Sequence, residues 1–221
     1  MKNAIKTYNM YHSIWDTLIF GLAAPIVIII VHFFITLGLV EGATGITLCY
    51  TMIAEIFRDY FSFNGAYSSD SHNTILRSSF YGKRTFVNGI MQEHARNFVH
   101  YVLVIGICSV ITAFADHYDP YYIPIKVIVV LIAYTMNTLA VNVVRYFGTF
   151  TIYPIISTPF VILTIIPVVF LTALGIRFGA LKLGIFMLAA LVLGIIVTII
   201  SYLHASHSYD KSFLDVVSRR S

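Results

Sequence analysis

The sequence predicts an all-α, polytopic membrane protein: six transmembrane helices in a single transmembrane domain, residues 1–221. Three observations predict it. Of 221 residues, 58% are hydrophobic and 11% charged, with a mean hydropathy of +0.84, whereas a soluble domain is roughly 45–50% apolar and about 25% charged. Apolar runs of about 20 residues, enough to cross a hydrocarbon core of roughly 30 Å, recur along the whole chain. Lys and Arg are also sorted between alternate connections, as cytoplasmic loops require.

Before the first run, Ile5, Tyr8, Met10, Tyr11, Ile14 and Trp15 recur near helical spacing among Lys2, Lys6, His12 and Asp16. An apolar and aromatic stripe beside cations predicts an interfacial helix over 1–17, with Trp15 at headgroup level. The first run is long and has no small-residue cleavage site behind a short core. It is therefore read as a retained helix rather than a signal peptide.

The six runs are 18–40, 44–63, 97–115, 123–144, 149–174 and 181–203. An even number puts both termini on one side. With the N-terminus inside, Lys2, Lys6, Arg58, Arg77, Lys83, Arg84, Arg96, Arg145, Lys211, Arg219 and Arg220 are cytoplasmic, leaving Lys126, Arg177 and Lys182 outside. Both termini are thus expected in the cytoplasm. Pro120 and Pro124 are natural boundaries for the fourth run. The fifth carries Pro154, Pro159 and Pro167 and is expected to be kinked or divided, as membrane helices tolerate where neighbours re-satisfy the freed carbonyls.

The connections are short except for 64–96, a cytoplasmic loop that holds most of the polar chemistry. Within it Ile75, Leu76 and Phe80 give a short surface helix an apolar side, Gly82 ends that helix, and Lys83 with Arg84 face inner-leaflet phosphates. At the cytoplasmic end of the second run, Glu55, Arg58 and Asp59 stand at i, i+3 and i+4 on one helix face. They are a candidate cytoplasmic gate or inter-helix bridge, because ionisable groups near a membrane interior are costly and often functional. A helix end emerging into water is the plainer alternative.

No catalytic centre is recognisable. Paired catalytic carboxylates, a Ser–His or Ser–Lys arrangement and metal ligands at known spacing are all missing. His94 with His100, and His204 with His207, lack the spacing of a metal motif, and Cys49 and Cys108 lie inside apolar runs as packing residues. His32, Thr36, His100, Asn137 and Asn142 are read as inter-helix hydrogen bonders. No metal, no cofactor and no nucleic-acid partner are expected for this chain.

The order of parts resembles permease subunits of the bacterial type-2 ATP-binding-cassette (ABC) exporter family. The resemblance rests on an amphipathic segment before the first run. It rests also on Asp70, then Leu76-Arg77-Ser78-Ser79-Phe80-Tyr81-Gly82-Lys83-Arg84, then Phe86-Val87-Asn88-Gly89 leading into the third run. Phe80-Tyr81-Gly82 replaces the family's usual Leu-Pro-Ile or Leu-Pro-Val. In size and aromatic content the chain is similar to the permeases of staphylococcal phenol-soluble modulin exporters.

The resemblance implies that Leu76 through Arg84 form a coupling helix docking on an ABC ATPase subunit, with Asp70 and Ile75 in the same coupling loop. It implies a second permease, identical or not, and an amphipathic peptide or hydrophobic toxic compound as cargo in a bacterial cell membrane. It implies an outer gate over Pro159, Pro167, Gly175, Arg177 and Gly179. ATP and Mg belong to the partner, because Gly82-Lys83 is the only Gly-Lys pair here and Arg77 stands where a phosphate-binding loop needs its first glycine. A non-transporting immunity or sensor subunit that binds a partner through the same loop is the alternative.

Overall fold

The computed structural model describes residues 14–38, 40–61, 80–115, 121–144, 152–173 and 178–218. All regular structure among them is helical. Helix α1 runs from Ile14 to Thr36 through a π-helical turn at Ile19–Ala23. It is followed by α2 (Val40–Asp59), α3 (Gly82–Ala115), α4 (Tyr122–Val144), α5 (Ile152–Ala173) and α6 (Ala180–Ser218).

Four segments are long and apolar enough to cross a membrane: Ile14–Thr36, Gly82–Phe114, Ile123–Val143 and Ala180–His207. Their outward side chains, among them Ile26, Val27, Ile30 and Phe34 on α1 and Leu188, Leu193, Ile196 and Ile199 on α6, are exposed. So wide an apolar surface belongs against hydrocarbon. The other two helices differ for a physical reason. Helix α2 packs on α1, α3, α4 and α5, so it faces protein on most sides and tolerates the ionisable groups that a lipid-facing helix would not. The apolar stretch of α5, Tyr153–Val169, is shorter.

The core follows from helical periodicity. Leu48, Met52 and Ile56 of α2, four residues apart on one face, meet Tyr101 and Ile105 of α3, Ile125 and Val129 of α4, and Tyr153, Val161 and Val168 of α5. Small residues bring backbones together. A Cβ added at Gly45 of α2 would lie 2.5 Å from Val169 Cγ2 of α5, and one at Gly194 of α6 would lie 3.2 Å from Thr135 Oγ1 of α4.

The described helices bear on three expectations. Residues 82–96 are not loop: α3 starts at Gly82 and is 34 residues long, about 50 Å at 1.5 Å per residue. Gly82 therefore begins a helix, and the short surface helix expected before it lies outside the described residues. Helix α6 likewise continues past residue 203 for a total of 39 residues. The two overshoots are held together because Phe86, Val87 and Ile90 pack on Ala205 and Tyr209, with the Phe86 and Tyr209 rings 5.7 Å apart. These antiparallel ends form a two-helix stem at one end of the bundle.

Second, where the interfacial helix enters the described residues, Ile14–Leu18 is helical and continues into α1 without a break in αR conformation. Residues 1–13 lie outside the described residues. Third, of the two alternatives for α5, kinked or divided, division is the one overturned: Pro159 and Pro167 lie inside one continuous helix. Ser157 and Thr158 donate to the Tyr153 and Pro154 carbonyls at 2.6 Å, so side-chain hydroxyls serve backbone oxygens near the first of these prolines.

Candidate functional site

The densest polar chemistry among the described residues is a charged layer between α2 and α3, at the base of the stem. Glu55, Arg58 and Asp59 of α2 are 0–1% exposed, as is Glu93 of α3. Helical spacing sets the partners: Glu93, Arg96 and His100 at i, i+3 and i+7 share one face of α3, and that face meets the Glu55–Arg58–Asp59 face of α2.

Arg96 is the hub. Its Nε and Nη2 donate to Glu93 Oε1 at 3.0 and 2.6 Å. Its Nη1 reaches Glu55 Oε1 at 3.4 Å, its Nη2 also bonds Glu55 Oε2, and it further bonds the Asn97 side chain. His100 Nδ1 pairs with Glu55 Oε1, the oxygen that Arg96 Nη1 also reaches. Arg58 Nε lies 3.5 Å from Glu93 Oε1, an ion-pair separation rather than an aligned hydrogen bond. Glu55 and Glu93 thus each touch a guanidinium from their own helix or the facing one, which is how buried charge is tolerated.

The first helix closes over this layer. A Cβ at Gly21, in the middle of the π turn, would lie 3.7 Å from Arg58 Nη1, and Phe20 stacks on Phe61 at 5.9 Å. A π turn inside an α-helix often marks a functional position. Here it presents a residue without a side chain to a buried guanidinium.

The layer extends across the bundle. Ser201 of α6 donates to Asn142 Oδ1 of α4 at 2.6 Å, and its oxygen stands 2.6 Å from His94 Nε2 of α3. The hydroxyl has spent its one hydrogen on Asn142, so His94 Nε2 is the donor. Glu93 and His94, adjacent in sequence, thereby tie α3 to α2 on one side and to α6 and α4 on the other. Chemically the arrangement can hold four helices in one register and release them together. Among the described residues no three His, Cys, Asp or Glu side chains gather in the manner of a metal site.

Of the residues singled out from sequence, Glu55, Arg58 and Asp59 are buried in the layer rather than emerging into water. Phe80 and Tyr81 form an exposed aromatic pair just before α3, rings 5.1 Å apart. Gly82 is buried, and Lys83 and Arg84 are exposed on the first turn. Asp70, Ile75, Leu76 and Arg77 lie outside the described residues, as do Gly175 and Arg177. Pro159 and Pro167 are exposed along α5, and Gly179 directly precedes α6.

Reasoning from sequence paired none of Glu93, His94, Arg96 and His100 with α2. The signal that finds them is the second ionisable triplet, Glu93, Arg96 and His100, on one face of a helix that can lie beside the first triplet. Comparison of the chain with protein-family models, with curated proteins and with solved structures finds no match.

Proposed function

We propose that this chain is the membrane-spanning permease subunit of a bacterial ABC exporter. It moves amphipathic peptides or hydrophobic toxic compounds out of the cell while a separate ATPase subunit supplies the energy. In this reading α2 and α5 are sheltered spans beside the four long ones, giving six, and both termini are cytoplasmic as the Lys and Arg distribution indicates. A second permease, identical or different, completes the path.

One observation carries the reading: the α3–α6 stem. It projects from one end of the bundle, has an exposed Phe80–Tyr81 pair with Lys83 and Arg84 at its tip, and stands on the Arg58–Glu93–Arg96–Glu55 layer. A soluble partner that moves the tip acts through a rigid two-helix lever on the contacts that hold α2, α3, α4 and α6 in register. The coupling segment Leu76 to Arg84 inferred from sequence leads directly into that tip.

The test is ATP hydrolysis in proteoliposomes holding this chain with its partner ATPase, comparing wild type with Leu76→Asp and Arg77→Glu. Hydrolysis that needs the membrane subunit, rises with cargo and falls in both variants supports coupling. Association without any change in hydrolysis would favour a sensor or immunity subunit that docks a partner without transport.

A further inference from the structure

At the opposite end of the bundle from the charged layer, the end of α1, the start of α2, the end of α3 and the start of α4 come together. His32 of α1 is buried there. Its Nε2 donates to the Cys108 carbonyl at 3.0 Å, and its Nδ1 pairs with Thr47 Oγ1 at 2.6 Å. Those bonds satisfy the imidazole and tie three helices. They leave one group with unspent chemistry.

Lys126 stands one turn into α4. Its ammonium is turned inward, 2.5 Å from Thr44 Oγ1 on the first turns of α2. An ammonium has three N–H donors, and this neutral hydroxyl takes one. Among the described residues no carboxylate pairs with Lys126. The Thr44 hydroxyl accepts from Lys126, and its own hydrogen goes to no described acceptor. Two N–H groups of this half-buried ammonium and one O–H therefore have no described acceptor between α2 and α4.

A lysine this close to a helix end can normally extend its head into water. Drawing the charge back between two helices is costly unless an anion joins it. The depth selects the anion: one turn inside a membrane helix is the level of lipid headgroups, where a phosphodiester presents a single negative charge and two free oxygens. A zwitterionic headgroup brings its own cation to compete with Lys126.

We propose that Lys126 and Thr44 form a phosphate site for the headgroup of an anionic phospholipid, seated between the first turns of α2 and α4 in the leaflet opposite the stem. The site is independent of the transport reading, since it needs only the membrane. Binding would brace α2 against α4 at the end of the bundle that the charged layer does not reach.

The test uses the full chain, purified in detergent and delipidated, titrated with phosphatidylglycerol, phosphatidylcholine or inorganic phosphate while thermal unfolding is followed. Phosphatidylglycerol is expected to raise the unfolding temperature of wild type, with phosphatidylcholine and inorganic phosphate doing little. Lys126→Gln should weaken that response roughly fivefold, the order expected for one lysine at an anionic surface, while Lys126→Arg retains most of it. Thr44→Val, which keeps the cation and the shape, should weaken it less.

Native mass spectrometry of wild type should show phosphatidylglycerol retained over phosphatidylcholine, a readout that needs no variant. An equal response in Lys126→Gln and wild type, or no preference for phosphatidylglycerol in wild type, overturns the site. Full stabilisation by inorganic phosphate alone overturns the lipid assignment.

Discussion

The Arg58 guanidinium and the Glu93 carboxylate stand 3.5 Å apart, on different helices, and both are at most 1% exposed. Glu93 also accepts from Arg96, so one carboxylate answers two guanidiniums. Removing it is far worse than removing the pair. Glu93→Ala leaves buried Arg58 and partly buried Arg96 with less compensation and is expected to cost about 3–5 kcal/mol, read as a large fall in unfolding temperature in detergent. The double variant Arg58→Leu with Glu93→Leu is expected to recover most of that loss, because Arg96 keeps Glu55 and neither replaced position leaves an unanswered charge. A double variant no more stable than Glu93→Ala would show that Arg58 and Glu93 do not compensate each other.

Ser201→Ala is expected to cost more than its size suggests. It strips the donor from Asn142 Oδ1 and the acceptor from His94 Nε2 in one step. Inter-helix hydrogen bonds in membranes average about 0.6 kcal/mol, so losing two predicts roughly 1–2 kcal/mol. Ser109→Ala is the control, since Ser109 only back-bonds the Ile105 carbonyl of its own helix and its loss should change stability little. Equal effects in the two variants would count against the His94–Ser201–Asn142 link.

How much of this was legible in the sequence depends on which force decides each feature. Hydrophobic length decides the long apolar helices, so the runs beginning near residues 18, 123 and 181 correspond to α1, α4 and α6. It is blind to the stem. Residues 82–96 carry Lys83, Arg84, Asn88, Glu93 and Arg96 and read as loop by hydropathy, yet Phe86, Val87 and Ile90 keep a helical stripe that only becomes meaningful once Ala205 and Tyr209 lie opposite.

The charged layer was half legible for a similar reason. The spacing of Glu55, Arg58 and Asp59 shows a shared face, but whether that face meets water or Arg96 is a tertiary fact. Lys126 illustrates the reverse case. Its charge was counted for orientation, and its inward turn onto Thr44 is invisible to any count.

The stem gives a prediction about local opening. Phe86→Ala removes the ring that packs on Tyr209 and is expected to separate the ends of α3 and α6 while leaving the apolar spans packed, since the two clusters are distinct. Amide hydrogen exchange should accelerate over residues 82–90 and 203–209, where few other contacts protect the backbone, and remain slow over 101–108. Uniform acceleration along α3 would mean that stem and bundle unfold as one unit and that the lever has no independent stability.

Gly45 and Val169 set the closest approach of α2 to α5. A Cβ at Gly45 would meet Val169 Cγ2 at 2.5 Å, a separation that carbon atoms cannot hold, so Gly45→Ala must push the helices apart or force Val169 from its rotamer. Overpacking of this kind typically costs about 1–3 kcal/mol, which outweighs the roughly 0.8–1 kcal/mol that alanine gains over glycine in helix propensity.

The sign of the Gly45 result therefore separates the two effects. Destabilisation by Gly45→Ala, with rescue by Val169→Ala in the same chain, identifies the clash as the cause. Net stabilisation would mean that α2 and α5 are free to move apart at this level. Because α2 also carries Glu55 and Arg58, the same displacement is expected to disturb the α2–α3 layer. On the proposed exporter function, Gly45→Ala should therefore reduce ATP hydrolysis by the partner subunit more than a lipid-facing change such as Leu188→Ala on α6, whose side chain is 61% exposed.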